Sequence, residues 1–142
     1  MESRAHARRP RSDGQELERL LREAPKGIIL VIDDDEGIRA ASAEILELAG
    51  YRVVVAADGQ EAVDLLAIGP TPQAIVLDLM MPRMDGWTFL TVLRADPRFH
   101  DVPVMVTSAA PGRELPSGAD LSLPKPFDAA QLGRAVARLC AH

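Results

Sequence analysis

The sequence predicts an α/β domain built on a parallel sheet with helices on both faces. Three observations carry that expectation. Five apolar runs of strand length alternate with four stretches of helical spacing. The runs are apolar almost throughout, as strands covered on both sides require. A chain of 142 residues with 47% apolar content can fill one continuous core, with no room for a second independent domain.

Residues 1–26 stand apart as an N-terminal extension. Arg4 to Arg11 form a basic arm with four arginines. Ser12 to Glu23 read as a short amphipathic helix, because Ser12 and Gln15 have capping-box spacing and Leu17, Leu20 and Leu21 share one face. Such an extension packs on the domain, frays, or serves as a partner-binding helix. Ala24-Pro25-Lys26-Gly27 then punctuates the chain.

The domain proper spans residues 27–142. Its strand-length runs are IILVI (28–32), YRVVVA (51–56), AIVLDL (74–79), VPVMVT (102–107) and LSL (121–123). Between and after them, helical spacing links Ile38, Ser42, Ile45 and Ala49, then Ala62, Leu65 and Leu66, then Phe89, Leu90 and Leu93, and last Leu132, Val136 and Leu139.

Charge and cysteine content narrow the function classes. Residues 1–26 carry 7 Lys/Arg against 5 Asp/Glu, while residues 27–142 carry 9 against 16. An acidic body is a poor surface for sequence-independent DNA binding, so no direct DNA contact is expected. Cys140 has no second cysteine to pair with, and no long apolar segment or signal-peptide pattern is present, which points to a cytoplasmic protein with no membrane role. His6, His100 and His142 lie far apart, without Cys or His at ligand spacing, and do not suggest zinc.

In parallel sheets, ligands sit beyond the carboxyl ends of the strands. The first run there ends in Asp33, Asp34 and Asp35, the third carries Asp78, the fourth ends in Thr107 and Ser108, and the fifth runs into Lys125. Singly, each has an ordinary role: a strand-end Asp caps a helix, a Thr finishes a ladder, a Lys is solvated. Together they crowd one rim. Two carboxylates about 4 Å apart repel by roughly 4 kcal/mol at an effective dielectric near 20, so the cluster needs a cation. Magnesium (Mg2+), which prefers partly hydrated oxygen sites, answers that need. A carboxylate beside such an ion, faced by an ammonium and a hydroxyl, is equipped for phosphoryl transfer, with Asp78 the candidate nucleophile.

The segments ILVIDDDEGIR, IVLDLMMPRMDGW, VPVMVTSAA and LPKPF, in this order, resemble the response-regulator receiver domain of two-component signalling, over about residues 27–141. The resemblance implies a flavodoxin-like, doubly wound five-stranded parallel sheet of order 2-1-3-4-5. It makes Asp33 and Asp34 the acidic pair for Mg2+, with Asp34 the more direct ligand and Asp33 acting largely through water, and leaves Asp35 outside the pair. It makes Asp78 the phosphoacceptor, the Met80 carbonyl a further metal ligand, and Thr107 and Lys125 the partners of the phosphoryl oxygens. Pro82 and Gly86 would shape the turn after the acceptor strand. It implies a cis Lys125-Pro126 bond. The implied partners are a sensor histidine kinase or histidine phosphotransfer protein and an unidentified downstream protein. Such a chain catalyses only its own phosphorylation and dephosphorylation. Since the sequence stops after one helix beyond Phe127, a stand-alone regulator acting by protein contact or onward phosphorelay is expected.

Two features depart from the family pattern. Ser122 stands where receivers usually carry a switching aromatic, and a serine has no ring to swing. The stretch from Thr107 to Lys125 is short and holds Pro111, Gly112, Pro116 and Gly118, so the fourth helix of the family is expected to be shortened or absent. Two rival readings follow. Asp33-x-Asp35 resembles the spacing of haloacid-dehalogenase-type Mg2+ phosphatases, which leaves Asp78 unexplained. A binding module with an idle acceptor site, regulated without phosphorylation, would account for Ser122.

Overall fold

The computed structural model describes residues 14–16, 26–109 and 115–141. Five strands, β1 (Ile28–Ile32), β2 (Arg52–Ala56), β3 (Ala74–Asp78), β4 (Val104–Ser108) and β5 (Leu121–Pro124), form one parallel sheet in the order β2-β1-β3-β4-β5. Helices α1 (Glu36–Leu48), α2 (Gly59–Ile68), α3 (Gly86–Ala95) and α4 (Ala129–Cys140) cover it. The predicted fold class and strand order are those observed. The limits of β1 are those expected, and those of the other strands differ by one or two residues. The largest difference is at β4, which starts at Val104 because Pro103, before it, has no N–H to donate.

The continuous apolar runs have a simple cause: alternate residues of each central strand feed two cores. Leu30, Ile32, Ile75, Leu77, Val104 and Val106 face one side, under Leu66 of α2 and Phe89, Leu90 and Leu93 of α3. Ile29, Val31, Val76 and Met105 face the other, under Leu46 of α1 and Leu132, Val136 and Leu139 of α4. In α1 the predicted stripe is buried at Ser42, and Leu46, one residue off it, is buried as well. Leu46 is fully buried, whereas Ile45 and Ala49 are half-buried, because the helix rotates to place Leu46 against α4 and the sheet.

Each of α1 to α4 starts from an aspartate cap. Asp35, Asp58, Asp85 and Asp128 accept hydrogen bonds from the backbone N–H groups of Ile38, Glu61, Thr88 and Gln131. These caps satisfy helix-terminal donors and favour the positive end of each helix dipole. They also set all four helix starts just beyond the carboxyl ends of the strands.

No helix lies within residues 115–120, which make a turn at Gly118 (φ 95°). Residues 110–114 fall outside the described residues. Arg94, near the end of α3, holds this connection: its guanidinium donates to the carbonyls of Phe99, His100, Val102 and Gly118, at 2.7–3.1 Å, and meets Asp120 at 3.3 Å. Asp120 in turn accepts from the Val104 N–H.

Residues 14–16 are helical, within the predicted amphipathic segment. The basic arm and Leu17, Leu20 and Leu21 lie outside the described residues, as do His6 and His142. His100 is exposed beside Asp101, and Cys140 is free and half-buried. Among the described residues, no helix is long and apolar enough to cross a membrane.

Candidate functional site

The sheet register builds the site. Asp78, the last residue of β3, is the direct register partner of Thr107 on β4. Both are buried, at 3% and 2% exposure. Asp33 follows β1 directly and is equally buried. Its backbone N–H donates to the Ala56 carbonyl (3.1 Å), its carbonyl accepts from Arg39 Nη1 (2.8 Å), and its Oδ1 accepts from the Asp35 N–H (2.9 Å). Asp34, next to it, is exposed on the rim. Carboxylate oxygens of Asp33, Asp34 and Asp78 all lie within 4.8 Å of one another.

Lys125 enters from the end of β5. Its backbone N–H donates to the Ser108 carbonyl at 3.0 Å, and the Lys125-Pro126 peptide is cis, as the resemblance implied. The ammonium reaches Asp33 Oδ2 at 3.0 Å and Asp78 Oδ1 at 3.5 Å. Burial works against the charged ammonium, but the contacts with Asp33 and Asp78 outweigh it and raise the Lys125 pKa. Asp78 is pushed up to about 6, first by burial and then by the charge of Asp33; Lys125 and the Met80 N–H, 3.2 Å from Oδ1, act in the opposite direction. One ammonium faces three carboxylates, so the rim keeps an excess of negative charge.

That excess, and a donor set made only of oxygens, fits a hard divalent cation. The Asp33 carboxylate is already engaged by Lys125 and by the Asp35 N–H. The rim-exposed Asp34 and Asp78, at the end of β3, are therefore better placed than Asp33 to meet such an ion directly. Asp34 and Met80 border one open depression with Asp85 and Trp87. Asp35 takes no part: its side chain caps α1. The Asp33-x-Asp35 pairing of a dehalogenase-type phosphatase therefore has no geometric counterpart here.

Comparison with known proteins is decisive. A family model for the response regulator receiver domain matches residues 29–137. This chain belongs to the response regulator receiver family. The receiver is 43% identical over 104 residues to Response regulator MprA of Mycolicibacterium vanbaalenii, and that match covers 70% of this chain and 44% of the relative. It thus spans less than half the length of the curated relatives it matches. Among solved structures, the chemotaxis response regulator CheY4 of Vibrio cholerae superposes with a TM-score of 0.74 at 28% identity, covering 79% of this chain and 97% of that one. The Francisella response regulator 1452 receiver domain gives 0.72 at 35% identity, covering 80% and 96%.

Asp33, Asp34 and Asp78 come together with Lys125 at this rim, Thr107 is the register partner of Asp78, and the Met80 N–H meets Asp78 Oδ1, while Asp35 caps α1 and Ser122 lies exposed on β5. Sequence reasoning missed the residues that hold the receiver's loops. Asp58 and Gly59, a recognisable helix-start signal, meet the loop between β3 and α3 at Arg83 and Met84. Nothing local to Arg83 marks that contact.

Proposed function

We propose that this receiver accepts a phosphoryl group on Asp78 from a phosphohistidine of a sensor kinase or phosphotransfer protein. The observation that carries the reading is the convergence of three carboxylates within 4.8 Å on a lysine 3.0 Å from Asp33 and 3.5 Å from Asp78. An Asp78 oxygen attacks phosphorus, the P–N bond breaks, and the imidazole leaves with the bonding pair and takes up a proton. Asp33, Asp34, Asp78 and the Met80 carbonyl would hold Mg2+, which supplies charge neutralisation at the phosphoryl oxygens. Lys125 pairs with one of those oxygens, and the Thr107 hydroxyl donates to another. The chain catalyses no other reaction in this reading, and its setting is the cytoplasm.

Phosphorylation adds roughly two negative charges and three acceptor oxygens to a crowded rim, and the β4 end responds by drawing Thr107 inward. The changed surface then engages a downstream protein or passes the phosphoryl group on. Intact mass after incubation with a small-molecule phosphodonor tests the proposal. Wild type gains one phosphoryl group only with Mg2+, and Asp78→Asn gains none. Uptake by Asp78→Asn would move the acceptor elsewhere.

The exposed, ringless Ser122 favours a second reading, in which the fold binds its partner without phosphorylation. Partner affinity that does not change on phosphorylation would support it.

A further inference from the structure

Asp58 lies outside the acidic cluster, yet both halves of that cluster are tied to the turn it occupies. On one side, the carbonyl of Ala56, two residues earlier, accepts from the Asp33 N–H at 3.1 Å. On the other, the acceptor loop between β3 and α3 is pinned twice. Arg83 Nε donates to Asp58 Oδ2 at 2.7 Å, and the Gly59 N–H donates to the Met84 carbonyl at 3.2 Å. The second contact requires glycine, because a Cβ at position 59 would stand 2.7 Å from the Met84 oxygen.

Arg83 itself needs support. Its φ is 63°, the left-handed region that a long L side chain rarely holds. The Asp58 side chain is 9% exposed, and its other oxygen, Oδ1, accepts from the Glu61 N–H at 2.9 Å, so it is a fixed anchor rather than a mobile surface partner. The guanidinium contact also holds the Asp58 carboxyl below its ordinary value. The Arg83 side chain is 65% exposed, so the pair adds little as an energy source. Its effect is geometric.

The loop has few ways to absorb a change at Arg83. The Gly86 N–H closes it by donating to the Leu79 carbonyl at 3.0 Å, and Pro82 has a ring-fixed φ. Met80 lies between these two constraints. We infer that Asp58 and Arg83 are positioning residues for the divalent-cation site, holding the left-handed turn and so fixing the Met80 backbone, whose N–H meets Asp78 Oδ1 and whose carbonyl would be offered to the ion. The inference rests on the phosphoacceptor reading above.

The test is equilibrium binding of Mn2+, counted from the electron paramagnetic resonance of the free ion, on full-length protein shown to be folded by circular dichroism. Wild type binds one ion. Asp58→Asn, which keeps a helix-capping oxygen, and Arg83→Ala, which keeps the strain without the partner, each bind about tenfold more weakly, as for outer-shell partners of metal sites. Arg83→Gly regains most of the affinity, because glycine holds a positive φ unaided. If Arg83→Ala does not fold, Asp58→Asn and Arg83→Gly carry the test. Wild-type affinity in Asp58→Asn overturns the inference and leaves the receiver reading intact, as does an Arg83→Gly loss as deep as that of the other variant. Absence of binding by wild type removes the cation site itself, and this inference with it.

Discussion

Lys125 holds its ammonium closer to Asp33, at 3.0 Å, than to Asp78, at 3.5 Å. The lysine therefore compensates the buried Asp33 in the metal-free protein. Lys125→Met should leave two buried carboxylates without their cation. The loss is expected to be about 2–3 kcal/mol at pH 7 without metal, below the usual cost for a fully buried pair because the ammonium sits near the rim. Urea unfolding measures it, and the double variant with Asp33→Asn should recover most of it. A loss that persists in the double variant would mean that the lysine stem, not its charge, matters.

The Asp78 pKa couples stability to pH. Its folded value, about 6, lies above the ordinary 3.8, so its contribution is fully present below 3.8 and lost as pH rises through about 6. Metal-free wild type should therefore lose about 2 kcal/mol relative to Asp78→Asn between pH 4 and pH 7. Mg2+, which favours the ionised acceptor, should stabilise wild type more at pH 7 than at pH 5. Thermal unfolding of both proteins across this range checks it, and parallel pH curves would refute it.

Gly86 opens α3 where no side chain fits. A Cβ there would stand 2.7 Å from the Leu79 Cα and 2.8 Å from the Asp78 carbonyl oxygen. Since both are backbone atoms of the acceptor segment, Gly86→Ala is expected to cost about 1–3 kcal/mol and to slow phosphoryl uptake together. Calorimetry and the mass-shift rate read the two effects. Normal uptake in a destabilised variant would show that the displacement stops short of Asp78.

Much of this molecule was legible in its sequence because the controlling information is local or periodic. The run Ile29 to Ile32 is apolar at every position since each residue meets one of two cores. Asp33 and Lys125 follow strands, Asp78 ends one and Thr107 is the last but one residue of β4, so parallel alignment alone brings them to one rim. What stayed hidden depends on meetings between distant segments. Leu46, outside the predicted stripe, is fully buried because of how α1 sits on α4 and the sheet, while Ile45 packs at the edge of the same core. Arg83 finds Asp58 25 residues away, and Arg94 finds Gly118 24 residues away. An arginine in a loop or on a helix reads as solvated until its partner's position is known.

Arg94 also separates two parts of the chain that adjoin in sequence. By gripping the Gly118 carbonyl and Asp120, it re-fixes the path into β5 whatever length of chain comes before. Doubling a loop's length adds only about 0.6 kcal/mol of closure cost. The connection ahead of Gly118 is therefore a natural splice point: a reporter domain inserted there would sit after the Thr107 end of β4, while the anchored strand beyond it keeps Lys125 in register.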